Sequence, residues 1–417
     1  MTRRRLLPAA LVAYAMAGPI AQTVAVQNVE WPQWRGPARD GRVSGLQTRA
    51  TWPESLAPGW KLKVGIGHSS PIVSAGRVHQ FSREGEAEVV RALDLASGRE
   101  LWKQSYPVAY EMNPAATGHG KGPKATPVVA DGRLFTLGIT GVLSAWDAAS
   151  GRMAWRKTFE TAHRATAPAF GTAASPVVDG DRLIAFVGGD NDGALAAFDV
   201  KTGSELWAWK GDGPGYASPV VATWDGVRQV VTQSQNALVG VAADTGALLW
   251  KRELKTPYEQ NSVTPIVSAG LVIYSGLDAP LTAVRPAKQG AAFTLETVWT
   301  NPDVASYLST PVLEGGRLYG LSHRKKGQWF CVDAASGKTL WLTDGRQAEN
   351  AAILAGTGVL FLLDTDGSLT VAAADASGWK PLRKWSVAQS ATWAHPVVLD
   401  SGVLVKDVDT LAFLRMK

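Results

Sequence analysis

Cysteine is almost missing from this chain of 417 residues, with Cys331 the only one. An intrachain disulfide is therefore excluded, and so is a zinc site built on paired thiolates. Cys331 lies in the apolar run Trp329-Phe330-Cys331-Val332, where a buried, inert thiol is expected rather than a nucleophile. Long hydrophobic runs are missing too. Beyond the first residues no stretch is apolar for the length of a spanning helix, so no transmembrane segment is expected. Charge of one sign never accumulates. The formal balance is +6, and the densest basic spot, Arg324-Lys325-Lys326, reads as a solvated loop. Nothing forms the basic footprint of a nucleic-acid binder.

What is present begins with an export signal. Arg3, Arg4 and Arg5 form a basic n-region, and residues 6–18 form an apolar stretch short for a bilayer. Small residues then allow cleavage near Ala21 or Ala25, so residues 1–25 are expected to be a signal peptide. The run Thr2-Arg3-Arg4-Arg5-Leu6-Leu7 also resembles a twin-arginine signal. Loss of the three arginines lowers the balance from +6 to +3. No Cys lies near the cleavage region to accept a lipid, so a soluble periplasmic or secreted protein is expected.

Glycine and tryptophan are abundant, 43 and 17 in number, and both are periodic. The pattern Asp-x-x-x-Gly-x-x-x-Trp occurs as Asp94/Gly98/Trp102, Asp147/Gly151/Trp155, Asp199/Gly203/Trp207 and Asp333/Gly337/Trp341. Shortened or degenerate copies keep Gly246 with Trp250, then Trp299, Trp385 and Trp60. The eight tryptophans stand 42 to 53 residues apart, the size of a propeller blade. A second marker, Ser/Thr-Pro before Val or Ile, keeps the same time at Pro71, Pro127, Pro176, Pro219, Pro265 and Pro311, with a weaker copy at Pro396. Its missing copy falls near Asn350-Ala351-Ala352-Ile353.

Each repeat reads as four short strands. In the third, residues 175–178, 182–187, 194–200 and 204–210 are apolar runs bounded by Gly and Asp. The Asp can accept N–H groups of the turn, the Gly supplies positive φ, and the Trp packs between blades. These residues are assigned to structure. The expected fold is all-β, an eight-bladed β-propeller of four-stranded antiparallel blades spanning residues 59–417 after a leader of residues 26–58. Trp60 marks an outer strand that precedes the first inner one, and only three strands follow Pro396. The N-terminal strand is thus expected to complete the last blade and close the ring.

The Asp-x-x-x-Gly-x-x-x-Trp copies resemble the pyrroloquinoline-quinone-type (PQQ-type) repeat, and residues 31–45 resemble the leader of many exported propellers of that family. Length and blade count are similar to those of BamB-type propellers, lipoproteins of the outer-membrane assembly machine. Quinoprotein alcohol dehydrogenases share the resemblance; they are longer and hold PQQ with calcium, a carboxylate base and a stacking Trp, often over a disulfide between adjacent cysteines. Cys331 alone cannot supply that disulfide, and Glu349-Asn350, before a presumed inner strand, is a single pair rather than the acidic cluster with Asn of that family. PQQ with calcium therefore has no binding fingerprint here.

Chemistry is expected on the face where outer strands lead to the next inner strand. The long connections there, residues 104–124, 157–174, 254–263 and 301–308, carry Tyr106, Tyr110, Phe159, Phe170, Tyr258 and Tyr307. Of six histidines, His68, His119, His163 and His395 all precede inner strands of consecutive blades. With Lys121, Lys124 and Arg164 they form the candidate site for an anionic ligand or a metal; separate surface or capping histidines are the plain alternative. The expected function is a non-catalytic, monomeric scaffold that binds an envelope protein or small ligand on this face. A PQQ- or metal-dependent oxidoreductase is the alternative.

Overall fold

The computed structural model describes residues 30–159, 167–290 and 292–416. The expected signal peptide, residues 1–25, lies outside them. The described chain folds as eight antiparallel blades around one axis, the all-β eight-bladed propeller anticipated from the repeats. Blade three comprises Val177–Asp179, Arg182–Val187, Ala194–Asp199 and Glu205–Trp209 from channel to rim. Blade eight takes Val397–Leu399, Gly402–Lys406 and Thr410–Arg415 from the C-terminus, and Ala57–Lys63 supplies its outer strand, antiparallel to the last. The ring is thus closed by hydrogen bonds between the two ends of the chain.

The repeat residues show why the blade recurs. The Asp94 carboxylate accepts the Ser97 N–H at 2.8 Å and its hydroxyl at 2.6 Å; Asp147 and Ser150, and Asp333 and Ser336, do the same. Asp199 uses Thr202 in that role. The following glycine has a second duty. A Cβ on Gly151 would lie 2.6 Å from the Trp102 ring, and one on Gly203 2.8 Å from Trp155. On Gly246 it would lie 2.5 Å from Trp207 and on Gly337 2.5 Å from Trp299, and Gly98 stands just as tightly against Trp60. Each of these glycines therefore makes room for the tryptophan of the preceding blade.

That tryptophan donates its Nε1–H across the seam: Trp60 to Leu95 O, Trp102 to Ala148 O, Trp155 to Val200 O, Trp207 to Ala243 O and Trp299 to Ala334 O. Trp341 donates to Asp375 O at 2.8 Å and Trp385 to Pro53 O at 3.1 Å. The seam after Trp341 nevertheless departs from the repeat. A Cβ on Gly378, in the degenerate turn of blade seven, would meet nothing within 4 Å. Trp341 is only half-buried and faces the Trp379 ring instead, with centroids 6.1 Å apart. Blade five lengthens its outer hairpin to Ala279–Gln289 and Ala292–Asn301, where Gly290 takes φ +62° but no Asp-x-x-x-Gly turn precedes Trp299. Trp250 bonds Gln229 instead, and Trp224 reaches Gly270 O.

The Ser/Thr-Pro marker builds an inner belt. The backbone N–H of Ser70 donates to Thr126 Oγ1, Thr126 to Ser175 Oγ, Ser175 to Ser218 Oγ, Ser218 to Thr264 Oγ1 and Thr264 to Thr310 Oγ1. His395, which stands where blade eight would carry its hydroxyl, donates its N–H to Ser70 Oγ.

The leader enters this belt. Trp31 pairs with Val73 of blade one, Pro32 O accepts Val129 N–H of blade two, and Arg42–Gln47 runs parallel to the inner strand Ala351–Thr357 of blade seven. Arg39 donates to Ser175 O and Pro176 O of blade three, and Arg35 to Thr310 O and Pro311 O of blade six. Both guanidiniums are buried. Burial lowers them to about 10 for Arg35 and about 9 for Arg39, so both remain charged at neutral pH. The leader thereby closes the channel and ties blades on its far sides to one segment.

Candidate functional site

Above the leader, the connections between blades surround a pocket of ≈ 180 Å³. Its wall includes Trp34, His68, His119, Lys124, Phe170, Tyr216, Tyr307 and Trp393, with belt hydroxyls Ser175, Ser218, Thr264 and Thr310 beneath. Trp34 forms part of the wall from the leader, with its Nε1 3.3 Å from Thr264 Oγ1.

Each side chain is held by its own loop. Gly67 adopts φ +135°, and a Cβ there would lie 2.8 Å from Pro123 O; only glycine lets the His68 loop approach so closely. Pro123 O then accepts the His68 N–H at 2.9 Å. Lys406, buried, donates to Gly67 O, Asp407 O and Val408 O and fixes the same loop from behind. Asn113 caps the short 3-10 turn Pro114–His119 through Ala115 N–H, which sets His119 at its end. His68 Nε2–H donates to His119 O at 2.8 Å, and the two rings meet edge to face at 6.2 Å. Trp393 lies 5.8 Å from the first ring and 5.4 Å from the second. Lys124 Nζ donates to Phe170 O at 2.5 Å, and Tyr216 OH accepts the Phe170 N–H at 3.2 Å.

Among the described residues, electrostatics leaves this wall with one cation. Burial, helped by Lys124 and Lys406, pushes His68 down to about 3, and burial with Lys124 lowers His119, so both imidazoles are neutral at pH 7. Burial pushes Lys124 down to about 8, which still leaves it mostly protonated at neutral pH.

The structure thus brings His68, His119 and Lys124 together. Lys121 is not part of the pocket wall, and His163 and Arg164 lie outside the described residues. His395 is buried below the pocket, its ring 4.3 Å from Trp34, and burial with Arg35 holds it well below the usual imidazole range. The repeat residues, Gly98, Gly337 and Trp341 among them, take no part in the wall and serve the blade seams instead. Among the aromatics, Phe170 and Tyr307 line the pocket. Tyr106 is core, donating to Glu88, and Phe159 packs on Phe198 at 5.5 Å. Tyr258 is 80% exposed. Sequence reasoning missed Trp34, Tyr216 and Trp393. Trp393 carried a usable signal, two residues before His395 in the connection to blade eight. Trp34 carried none, because the leader offers no repeat register.

Calcium-held PQQ is the cofactor that the fold resemblance implies. Calcium takes six to eight oxygen ligands, carboxylates prominent among them. The described residues of the pocket wall offer hydroxyls and the Gln260 amide but no carboxylate. Among the described residues no three His, Cys, Asp or Glu side chains are grouped to hold a metal ion. The residues do not fit that group. Cys331 is buried, and burial pushes its thiol up to about 11, far from a reactive thiolate.

Comparison with known proteins agrees with the repeats. The family described as "Outer membrane protein assembly factor BamB" matches residues 86–343, more than half of the chain. Outer membrane protein assembly factor BamB of Shewanella oneidensis is 29% identical over 264 residues, covering 60% of this chain and 64% of that protein, just under two thirds of its length. Quinohemoprotein alcohol dehydrogenase ADH-IIG of Pseudomonas putida is 34% identical over 161 residues, 36% of this chain and 21% of that enzyme. Among solved structures, BamB from Moraxella catarrhalis superposes with a TM-score of 0.63 at 15% identity, covering 87% of this chain and 98% of that one. Quinohemoprotein alcohol dehydrogenase from Comamonas testosteroni gives 0.67 at 14%, covering 94% and 82%. At such identities these two likenesses show the fold alone. The match over residues 86–343 shows more: the chain belongs to the family of outer membrane protein assembly factor BamB.

Proposed function

We propose that this protein is an exported, non-catalytic scaffold of the cell envelope that binds a partner protein on the mouth face of its ring and works as a monomer. The observation that carries the reading is the construction of the mouth. A rigid, aromatic concavity is closed beneath by the leader, and among the described residues its wall holds no carboxylate for acid–base or calcium chemistry. Such a surface can bind and orient a partner, and its His68 imidazole is engaged with His119 O rather than with a carboxylate that would orient it for catalysis. Family membership supports an envelope partner. Residues 1–25 support export to the periplasm, or secretion, and no helix among the described residues is long and apolar enough to cross a membrane. The candidate site comprises His68, His119 and Lys124, with Trp34, Tyr216 and Trp393 beside them. Lys121, His163, Arg164 and His395 stand outside that wall or outside the described residues.

The test is site-specific photo-crosslinking in intact cells. A photoreactive residue at Phe170 or Tyr307 is expected to capture a component of outer-membrane protein assembly. The same residue at Met153 or Leu206, exposed on the outer strands, is expected to capture nothing specific. Equal capture from both places overturns the mouth reading. The quinoprotein alternative makes the opposite forecast in vitro. Excess PQQ with Ca²⁺ at about 100 times its dissociation constant would add about 2.7 kcal/mol of stability, whereas no shift in melting temperature is expected here.

A further inference from the structure

Beside the mouth pocket, where the connections into and out of blade seven meet its turn at residues 364–366, lies a second concavity of ≈ 440 Å³. Arg346, Glu349, Asp364, Asp366 and Trp393 stand in its wall. Asp364 ends the strand Val359–Asp364 and is 5% exposed. Its Oδ1 is sealed from solvent and has no hydrogen-bond partner among the described residues. This is not a consequence of a loose loop. Asp364 O accepts both the Gly367 N–H at 3.1 Å and the Thr392 hydroxyl at 2.5 Å, so the backbone that carries the side chain is tied on two sides. The neighbouring charges leave Asp364 uncompensated. Arg346 lies 3.4 Å from Glu349, Asp366 adds a second negative charge, and Lys384 opposes it more weakly. A carboxyl group buried without a donor costs free energy that a bound cation recovers.

We propose that this concavity binds a guanidinium group that draws the Asp364 carboxylate out of its sealed position, with Asp366 adding charge and the Trp393 indole forming the apolar wall. A metal ion is the poorer occupant, because no three acidic, His or Cys side chains among the described residues are grouped to enclose one. A guanidinium is planar, weakly hydrated, able to meet a carboxylate with two parallel donors and to stack on an aromatic face. An arginine of a partner protein and a free alkylguanidinium share that chemistry. The inference goes beyond the scaffold reading and can hold or fail separately from it, since it concerns binding by the purified protein alone.

The experiment is isothermal titration of the purified protein at pH 8 with n-butylguanidinium, with the blocked peptide Ac-Gly-Arg-Gly-NH2 and with n-butylamine. Binding of at least one guanidinium probe is expected, with the amine weaker. Tighter binding of the peptide assigns the site to a partner's side chain; tighter binding of the small cation assigns it to a free compound. Asp364→Asn is expected to weaken binding by about tenfold or more while leaving the melting temperature equal or higher, because it removes a buried, unpartnered acid. Asp366→Asn, at an exposed position, is expected to weaken it a few-fold without affecting folding. Burial and Asp366 push the Asp364 carboxyl up to about 7, with Lys384 opposing; Arg346 and Glu349 complete the charged surroundings. Binding to the wild type is accordingly expected to be about tenfold weaker at pH 6 than at pH 8. Failure of both guanidinium probes to bind, equal binding by n-butylamine, or undiminished binding to Asp364→Asn overturns the proposal.

Discussion

Gly151 and Gly132 have nearly the same backbone, φ +73° and +72°, yet they stand in different surroundings. A Cβ on Gly151 would press into Trp102, whereas one on Gly132 would meet nothing within 4 Å. Gly132→Ala is therefore expected to cost about 1 kcal/mol, the backbone strain alone. Gly151→Ala should cost about 2–4 kcal/mol, because the tryptophan of the preceding blade must also move. Urea midpoints at unchanged slope would measure both, and equal costs would show that the seam does not depend on this contact. The Gly-to-Trp spacing was visible in the sequence, but the tryptophan that each glycine serves was not, since it belongs to the previous repeat: Gly98 serves Trp60, and Gly337 serves Trp299 rather than Trp341. His79 offers a pH test at the same scale. It is buried, its Nδ1 has no partner, and burial followed by Arg77 lowers it to about 4. The unfolded chain takes up this proton below about pH 6.5 and the folded chain only near 4, so stability is lost as pH falls through that window. Relative to wild type, His79→Leu should gain about 2 kcal/mol at pH 5 over its value at pH 8. Melting curves of the two proteins at both pH values decide this, and a pH-independent difference would contradict it.

At the scale of elements, the leader is where sequence and structure part most. Residues 31–45 could be set apart from the repeats, but their path across the channel could not be read, because Arg35 and Arg39 bond carbonyls 136 to 276 positions away. Periodicity reports local neighbours and is silent about such contacts. Arg35 and Arg39 are 1% and 5% exposed. Trypsin acting on the native protein is therefore expected to leave the bonds after both arginines intact, although they lie close to the N-terminal end of the described residues. Mass spectrometry of the digest gives the answer, and early cleavage after Arg39 would mean that the plug opens under native conditions. The candidate site was legible in part for the same reason. His68, His119 and Lys124 lie in connections whose place the repeat fixes, so they could be assigned to one face. His395 precedes an inner strand too, but it occupies the belt position and turns beneath Trp34.

For the whole molecule, closure is the decisive event. Ala57–Lys63 pairs with Thr410–Arg415 across almost the full length of the chain, and without it two sheet edges are left open. Deletion of residues 59–64 is expected to abolish cooperative folding; a single sharp melting transition in the deletion protein would refute ring closure as a requirement. The sequence by itself determined the number of blades, their strands and the closing partner, because these follow from residue types repeated at a fixed period: glycine where φ must be positive, tryptophan where a seam must be filled, hydroxyls where a belt must be bonded. Only the tertiary structure decided that the leader lies across the channel, that two of the histidines meet one lysine at its mouth, and that Asp364 is buried without a donor beside them. Those are encounters between residues from different blades, and they depend on where the ring brings its loops once it has closed.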